Sequence, residues 1–156
     1  NNATYAQLLK NMQSRYYAWT SKGQPGNDID MYGILQAMNQ LPGVATVYCC
    51  ESHPTRQQPD RFYIACVASP WGVERLHAVV DAHHARMFKT GFEDPSSHVG
   101  LLHTRLIVPN GDPHTGWWTS YPTYVIGCEK VTRKGKREFL WQFLQAVEEV
   151  RERCAV

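Results

Sequence analysis

The chain has 156 residues, of which 43% are hydrophobic and 19% are charged, and its formal net charge at pH 7 is +2. This length and composition indicate a globular protein with one domain over residues 1–156 and exclude a disordered chain. No apolar run approaches the ~20 residues that span a bilayer, so we expect no contact with a membrane. A charge so close to neutral argues against a protein that coats duplex nucleic acid.

The first two elements are predicted to be helices. Residues 4–19 carry apolar side chains at helical spacing, and a loop rich in glycine and proline follows over residues 20–27. Asp28 is expected to cap a second helix that runs to about Asn39. The apolar positions that support the two helices are Tyr5, Leu8, Leu9, Met12 and Tyr16, then Ile29, Ile34, Leu35 and Met38.

Two strands and a helix come next. The runs 44–49 and 62–68 are rich in β-branched and aromatic residues, and the polar loop between them predicts an antiparallel hairpin. A third helix is expected over about 73–89, and Gly91 sits where the glycine that ends a helix belongs. Its predicted core face consists of Leu76, Val79, Val80, His83 and Met87.

The last third of the chain repeats this order. We expect a strand near 101–108, a long loop over 109–122, a strand over 123–128 and a final helix over about 137–153. The order α-α-β-β-α-β-β-α predicts an α+β fold, with helices packed on a mostly antiparallel sheet and two helix-strand-strand units that suggest an internal duplication. The predicted core face of the last helix consists of Leu140, Phe143, Leu144, Val147 and Val150.

The five cysteines form no regular framework. They are odd in number, and the adjacent pair Cys49-Cys50 would be strained as a disulfide. We therefore expect reduced thiols and a cytoplasmic protein.

The segment from Cys49 to His53 follows a strand and combines two thiols, a carboxylate, a hydroxyl and an imidazole. Alternation along a strand sends Cys49 and Cys50 to opposite faces, so one belongs to the core and the other faces a site. His53 could activate a thiol nucleophile, but a buried cysteine followed by a polar turn fits the same residues. The spacing of zinc ligands is missing, so no metal is predicted.

Three further segments offer groups for a ligand. His103 and Arg105 share one side of a strand and could bind a phosphate or carboxylate, although an exposed strand face is equally consistent. Trp117 and Trp118 lie in the long loop and could stack on bases, join a partner or cover the sheet. Residues 130–137 contain five basic side chains. This pattern is typical of a solvated connector or of a surface that attracts a polyanion.

Part of the chain resembles a known family. The stretches ILQAMNQLPGVATVYCCESHP, FYIACVAS and LHAVVDAHHARMFKTGFEDPSSHVGLLHTRLIV are similar to the tRNA wybutosine-synthesizing methyltransferases over about residues 29–108. In this alignment Cys50 falls on the family's cysteine, and Gly91-Phe92 and Ser96-Ser97 fall on its Gly-Phe and serine. Ser52 and His53 replace its glycine and arginine. The resemblance implies a shared scaffold and methylation of a tRNA base with S-adenosylmethionine as the cofactor.

The leading hypothesis is a domain that binds a nucleotide, or another ligand with a nucleobase or phosphate, including one derived from RNA. One alternative is an S-adenosylmethionine-dependent tRNA methyltransferase with Cys50 and His53 near the reacting base. The other is a protein-interaction module in which the two tryptophans hold a partner or an oligomer. No catalytic residue is assigned. The predicted cleft is lined by Cys50, Glu51, Ser52, His53, His103, Arg105, Trp117 and Trp118.

Overall fold

A computed structural model of the protein describes residues 31–91, 98–109 and 118–154. The helix predicted over residues 4–19 lies outside these ranges, as do Asp28 and Ile29. The elements are α1 (Tyr32–Asn39), β1 (Val44–Cys50), β2 (Asp60–Ala68), α2 (Pro70–Lys89), β3 (Gly100–Pro109), β4 (Trp118–Val131) and α3 (Lys136–Cys154).

The described strands form one antiparallel sheet in the order β1-β2-β4-β3. The predicted α+β class and the β1-β2 hairpin are therefore confirmed. The second strand of each helix-strand-strand unit lies at the centre of the sheet, and the first strand of each unit lies outside it. The consequence for any site is that β1 and β3 are separated by two strands.

The three described helices pack on one face of the sheet. Alternate residues of β2 point into this layer because successive side chains of a strand face opposite ways. Phe62 is the largest of them, and its ring meets the rings of Phe139 and Phe143 edge to face, at centroid distances of 5.1 Å in both cases. These aromatic contacts join α3 to the middle of the sheet.

The core face of α3 differs from the prediction. The buried residues of the helix include Phe139 and Ala146 as well as the predicted Phe143, Val147 and Val150. Leu140 and Leu144 are only partly buried, and they line a surface cavity described below. The helix is rotated about its own axis relative to the prediction. Phe139 and Phe143, which are one turn apart, face the core, so the two leucines lie at the border of the core.

Strand β4 also begins earlier than predicted. The backbone of residues 118–122 pairs with β3, with Pro109 opposite Trp118 and Arg105 opposite Pro122, so these residues are strand and the expected loop is shorter. Pro122 is unusual within a strand, because it has no backbone N–H to donate. It lies where β4 pairs with β3 alone among the described strands, a position equivalent to a sheet edge, where proline is tolerated.

Helix α2 begins at Pro70, before the predicted start. Ser69 caps it, since its hydroxyl accepts the Gly72 N–H at 3.1 Å. Gly72 also touches the turn before β1 so closely that a Cβ there would lie 2.0 Å from the Gly43 carbonyl oxygen. At the other end Gly91 has φ +72°, which confirms its predicted role as the glycine that follows the helix.

Two absences hold within the described ranges. None of the described helices is both long and apolar enough to cross a membrane. No disulfide joins the five cysteines, all of which lie among the described residues.

His83 is the most deeply buried titratable group of the helix layer, as its place on the apolar face of α2 predicted. Its Nε2–H donates to the Phe139 carbonyl oxygen at 3.3 Å, while the buried Nδ1 has no hydrogen-bond partner among the described residues. Burial disfavours the charged ring and lowers the pKa of His83 to about 4. A proton on Nδ1 would also find no acceptor among the described residues.

This pKa predicts that acid destabilises the fold. The unfolded imidazole takes up a proton near pH 6.5 and the folded one near pH 4, so stability is intact above pH 6.5 and decreases as the pH falls toward 4, by about 3 kcal/mol in total. His83→Gln should flatten this dependence, because its amide can still donate to Phe139 but does not titrate. Urea unfolding at about pH 7 and about pH 4.5 measures the effect.

The matched control is His77→Gln, which removes an exposed imidazole from the same helix. This variant should keep the acid sensitivity of the unmodified chain. If His83→Gln keeps it as well, another group is responsible for the loss of stability.

Candidate functional site

The end of β1 sorts its two cysteines to opposite faces. Cys49 pairs with Ile64 and packs against the core, whereas Cys50 pairs with Tyr63 on the face away from the helices. The register of β1 against β2 shifts between Thr46 and Tyr48. Strict alternation from Thr46, which faces the core, would turn Cys49 away from the core, and the shift turns it toward the core instead. The prediction that one cysteine belongs to the core is confirmed.

Ser52 holds the turn after β1 in an uncommon conformation. Its φ of +79° lies in the left-handed region that favours glycine. The residue is buried, and its hydroxyl donates to the Asp60 carbonyl oxygen at 3.0 Å. Serine thus adopts here a backbone conformation for which glycine is the usual residue.

Asp60 fixes the same turn from β2. Its carboxylate accepts the His53 backbone N–H at 2.7 Å. This hydrogen bond is the main reason that the pKa of Asp60 is lowered, with the Arg61 backbone N–H as the second cause. The first residues after β1 are therefore held in place by hydrogen bonds to the first residue of β2.

Glu51 extends from this turn to the start of α3. Its Oε1 lies 3.3 Å from Lys136 Nζ and 3.8 Å from His53 Nδ1. The side chains of Glu51 and Lys136 are only 11% and 22% exposed, so this ion pair is less screened by water than an ordinary surface pair. It links one predicted site residue to the basic segment of residues 130–137.

A cavity of about 960 Å³ opens beside this ion pair. It lies between the first turn of α1, the turn before α3 and the first two turns of α3. Four cationic side chains and one tryptophan that is 56% exposed surround it. The lining residues are Gly33, Ile34, Arg133, Lys134, Lys136, Arg137, Glu138, Leu140, Trp141 and Leu144. We call this cavity the basic pocket.

Local hydrogen bonds hold the turn that carries these cations. The Thr132 hydroxyl accepts the Gly135 N–H at 3.0 Å, and the Gly135 carbonyl oxygen accepts the Phe139 N–H at 2.9 Å. Arg133 and Lys134 lie between these bonds and are exposed. The basic segment is thus an ordered turn that leads directly into α3.

The outer cations of the basic pocket keep their charges available. Lys136 is paired with Glu51, but Arg133, Lys134 and Arg137 form no ion pair with any residue in the described ranges. The one acidic residue of the lining, Glu138, accepts a hydrogen bond from Gln142 at 3.0 Å. An anion in the pocket would therefore meet more positive than negative charge.

The strand face predicted from His103 and Arg105 lies elsewhere. Both side chains are exposed and share the face of β3 that also carries Leu101, which is opposite the core residue Ile126 on β4. His103 stacks on Tyr124, with ring centroids 4.7 Å apart and an angle of 15° between the planes. The predicted shared orientation of His103 and Arg105 is confirmed.

The structure does not join this face to the turn after β1. Strands β1 and β3 form the two outer positions of the described sheet, which are about 14 Å apart at ordinary strand spacing. Cys50 shares a row of the sheet with Gly100, five residues along β3 from Arg105. Residues 50–53 and the His103/Arg105 face therefore cannot line a single small cleft.

The two predicted tryptophans differ in position. Trp117 lies outside the described residues. Trp118 is the first residue of β4, opposite Pro109, and only its backbone is described. Their predicted contact with a ligand or partner stays a prediction.

Two other candidate groups are held within the fold. Cys66 is fully buried, and burial raises the pKa of its thiol. His84 donates to the Val99 carbonyl oxygen at 2.6 Å, while His77 and Asp81 of the same polar face are exposed. No group of three or more described His, Cys, Asp or Glu side chains could hold a metal ion.

The basic pocket was not predicted from the sequence. Its cations were visible as a run of charge, but a run of charge is also typical of a solvated connector. The residue that distinguishes a binding site from a solvated connector is Trp141. It follows Arg137 by one helical turn and so places an aromatic ring beside the charges. Trp141 received no role in the prediction.

Comparison with known proteins adds no family. No protein-family model matches the chain, and no curated protein or solved structure matches it significantly. The resemblance to the wybutosine-synthesizing enzymes therefore stays a prediction, and the geometry of this site is the basis for a functional proposal.

The conformation of Ser52 gives a test of the turn. Ser52→Ala removes the hydrogen bond to Asp60 and keeps a Cβ in the left-handed region, so we expect a loss of about 1 kcal/mol in the free energy of unfolding. Ser52→Gly loses the same bond but relieves the backbone, and it should be more stable than Ser52→Ala by about 1 kcal/mol. Urea unfolding of both variants measures the difference.

Gln57 provides the matched control, because it is an exposed residue of the same loop and does not have a positive φ. There the order should reverse, with alanine more stable than glycine, since glycine adds entropy to the unfolded chain. An alanine variant at position 52 as stable as the glycine variant would show that the left-handed conformation carries no strain.

Proposed function

We propose that the protein binds a phosphate-bearing ligand, such as a nucleotide, in the basic pocket. The observation that carries this proposal is the convergence of Arg133, Lys134, Lys136 and Arg137 on one cavity that also contains an exposed tryptophan. Guanidinium groups bind phosphate oxygens through charge-assisted hydrogen bonds, and an exposed indole offers a surface on which a base can stack. The cavity volume of about 960 Å³ is large enough for such a ligand.

The ion pair between Glu51 and Lys136 gives the pocket a defined inner wall. Lys136 is held by a carboxylate and is the least available of the four cations, so the phosphate is expected nearer to Arg133 and Arg137. The base would then lie toward Trp141, on the partly apolar side formed by Leu140 and Leu144. In this arrangement the charged and the aromatic parts of a nucleotide each meet a matching surface.

A protein that binds a nucleotide here should be stabilised by it. At a ligand concentration 100 times the dissociation constant, binding adds about 2.7 kcal/mol, which for a chain of this length raises the melting temperature by several degrees. The measurement is thermal unfolding with pyrophosphate, ADP, GTP and adenosine, followed by calorimetry on any ligand that produces a shift. Adenosine, which has no phosphate, should produce the smallest shift.

Two variants separate the two halves of the pocket. Arg137→Gln should weaken pyrophosphate and ADP alike, by about tenfold, because it removes one charge-assisted contact. Trp141→Ala should weaken ADP by a similar factor and leave pyrophosphate unchanged, since only the nucleotide has a base to stack. Arg153→Gln is the control for lost charge, because it lies about 24 Å along the same helix from Arg137. Equal effects of Arg137→Gln and Arg153→Gln would contradict the proposal.

The two alternatives from the sequence enter the same experiment as additional arms. S-adenosylmethionine is included as a ligand. If calorimetry shows binding of S-adenosylmethionine and of no nucleotide, the methyltransferase hypothesis is favoured. The interaction module would instead give no nucleotide binding and a mass above that of one chain in sedimentation. A cytoplasmic location belongs to the proposal as well, and the five cysteines without a disulfide support it.

A further inference from the structure

A second groove of about 480 Å³ adjoins the basic pocket. It runs between the loop after β1, residues 55–59, and the turn before α3. Arg133 and Lys134 line both cavities, so the two grooves lie on the two sides of one basic turn. The far wall of the second groove adds a further exposed cation, Arg56.

The second groove is polar as well as basic. Thr55, Gln57 and Gln58 supply hydroxyl and amide groups, which can both donate and accept hydrogen bonds. Backbone and side-chain hydrogen bonds between Thr55 and Gln58 keep this loop in a defined turn. Its surface therefore offers a second set of partners for phosphate and base groups beyond the basic pocket.

The size of the combined surface decides between ligands. The basic pocket alone already lies at the upper end of the ~300–1,000 Å³ that one small ligand occupies. A mononucleotide that fills the basic pocket would leave Arg56 and the second groove without a contact to the ligand. A chain with phosphates at regular intervals would instead contact cations on both sides of the Arg133/Lys134 turn.

We propose that the two grooves together bind a single strand of nucleic acid, with a base stacked on Trp141 and phosphates at Arg137, at the Arg133/Lys134 turn and at Arg56. This inference rests on the proposed function and extends it from one nucleotide to several. A single strand fits better than a duplex, because an exposed indole can stack only on a base that is not enclosed in a helix. An acidic peptide would satisfy the cations but has no regular series of aromatic faces for Trp141.

The test is fluorescence anisotropy with labelled single strands of DNA and RNA from about two to about twelve nucleotides, the usual range of single-strand site sizes. Affinity should rise with length until the strand spans both grooves. Arg56→Gln should then weaken the long strands roughly three- to tenfold and leave dinucleotides unchanged, whereas Arg137→Gln should weaken both. The affinity for a long strand falls as salt rises, and the negative slope of log K against log salt should become shallower by about 0.7 in Arg56→Gln, as expected for one lost phosphate contact.

The variants are exposed substitutions, and circular dichroism with thermal unfolding checks that each is folded. Arg153→Gln again controls for net charge. If mononucleotides bind as tightly as long strands and Arg56→Gln has no effect, the extension is overturned while the nucleotide pocket stands. If neither mononucleotides nor strands bind, both proposals are overturned. Duplex DNA or polyglutamate that binds as well as a single strand of equal charge would also contradict the extension.

Discussion

The contact of Phe139 and Phe143 with Phe62 is the constraint on which the basic pocket depends. It fixes the first two turns of α3 against the middle of the sheet, and substitution of such a buried ring by alanine typically costs about 3–5 kcal/mol. Because one side of these turns is held in the core, the other side must face outward. That side carries Arg137 and Trp141, so the same helix supplies both the anchor and the candidate site.

An ion pair adds a second link between the sheet and α3. The Glu51–Lys136 ion pair connects the turn after β1 to the first residue of α3, and the turn itself is held by Ser52 and Asp60. A largely buried ion pair contributes little net stability, since the cost of removing both charges from water offsets most of the attraction. Its effect here is positional. It joins the turn after β1 to the start of α3, so that the loop with Arg56 and the turn with Arg133 and Lys134 lie on the same side of the molecule. A chain with a net charge of only +2 thereby presents a distinctly basic surface.

Much of the fold could be predicted from the sequence, because periodicity and turn residues act locally. The helix-strand-strand order, the hairpin, Gly91 and the buried His83 all follow from such signals. The relative positions of the hairpins could not be predicted, since the order β1-β2-β4-β3 depends on how two units dock. For this reason His103 and residues 50–53, which were expected in one cleft, lie at opposite edges of the described sheet. The basic pocket was missed for the same reason, because it combines Gly33 with residues a hundred positions later.

The surface around the Arg133/Lys134 turn and Trp141 is the proposed anion-binding site of the protein. The most direct measurement is a nitrogen-15 NMR titration of the whole chain with pyrophosphate and then with ADP, with assignments for the backbone and the tryptophan indoles. Pyrophosphate is expected to shift the amides of residues 133–138, and ADP is expected to shift the Trp141 indole as well. Perturbations confined to the His103 and Arg105 strand, or the absence of any specific perturbation, would show that the anion site is not here.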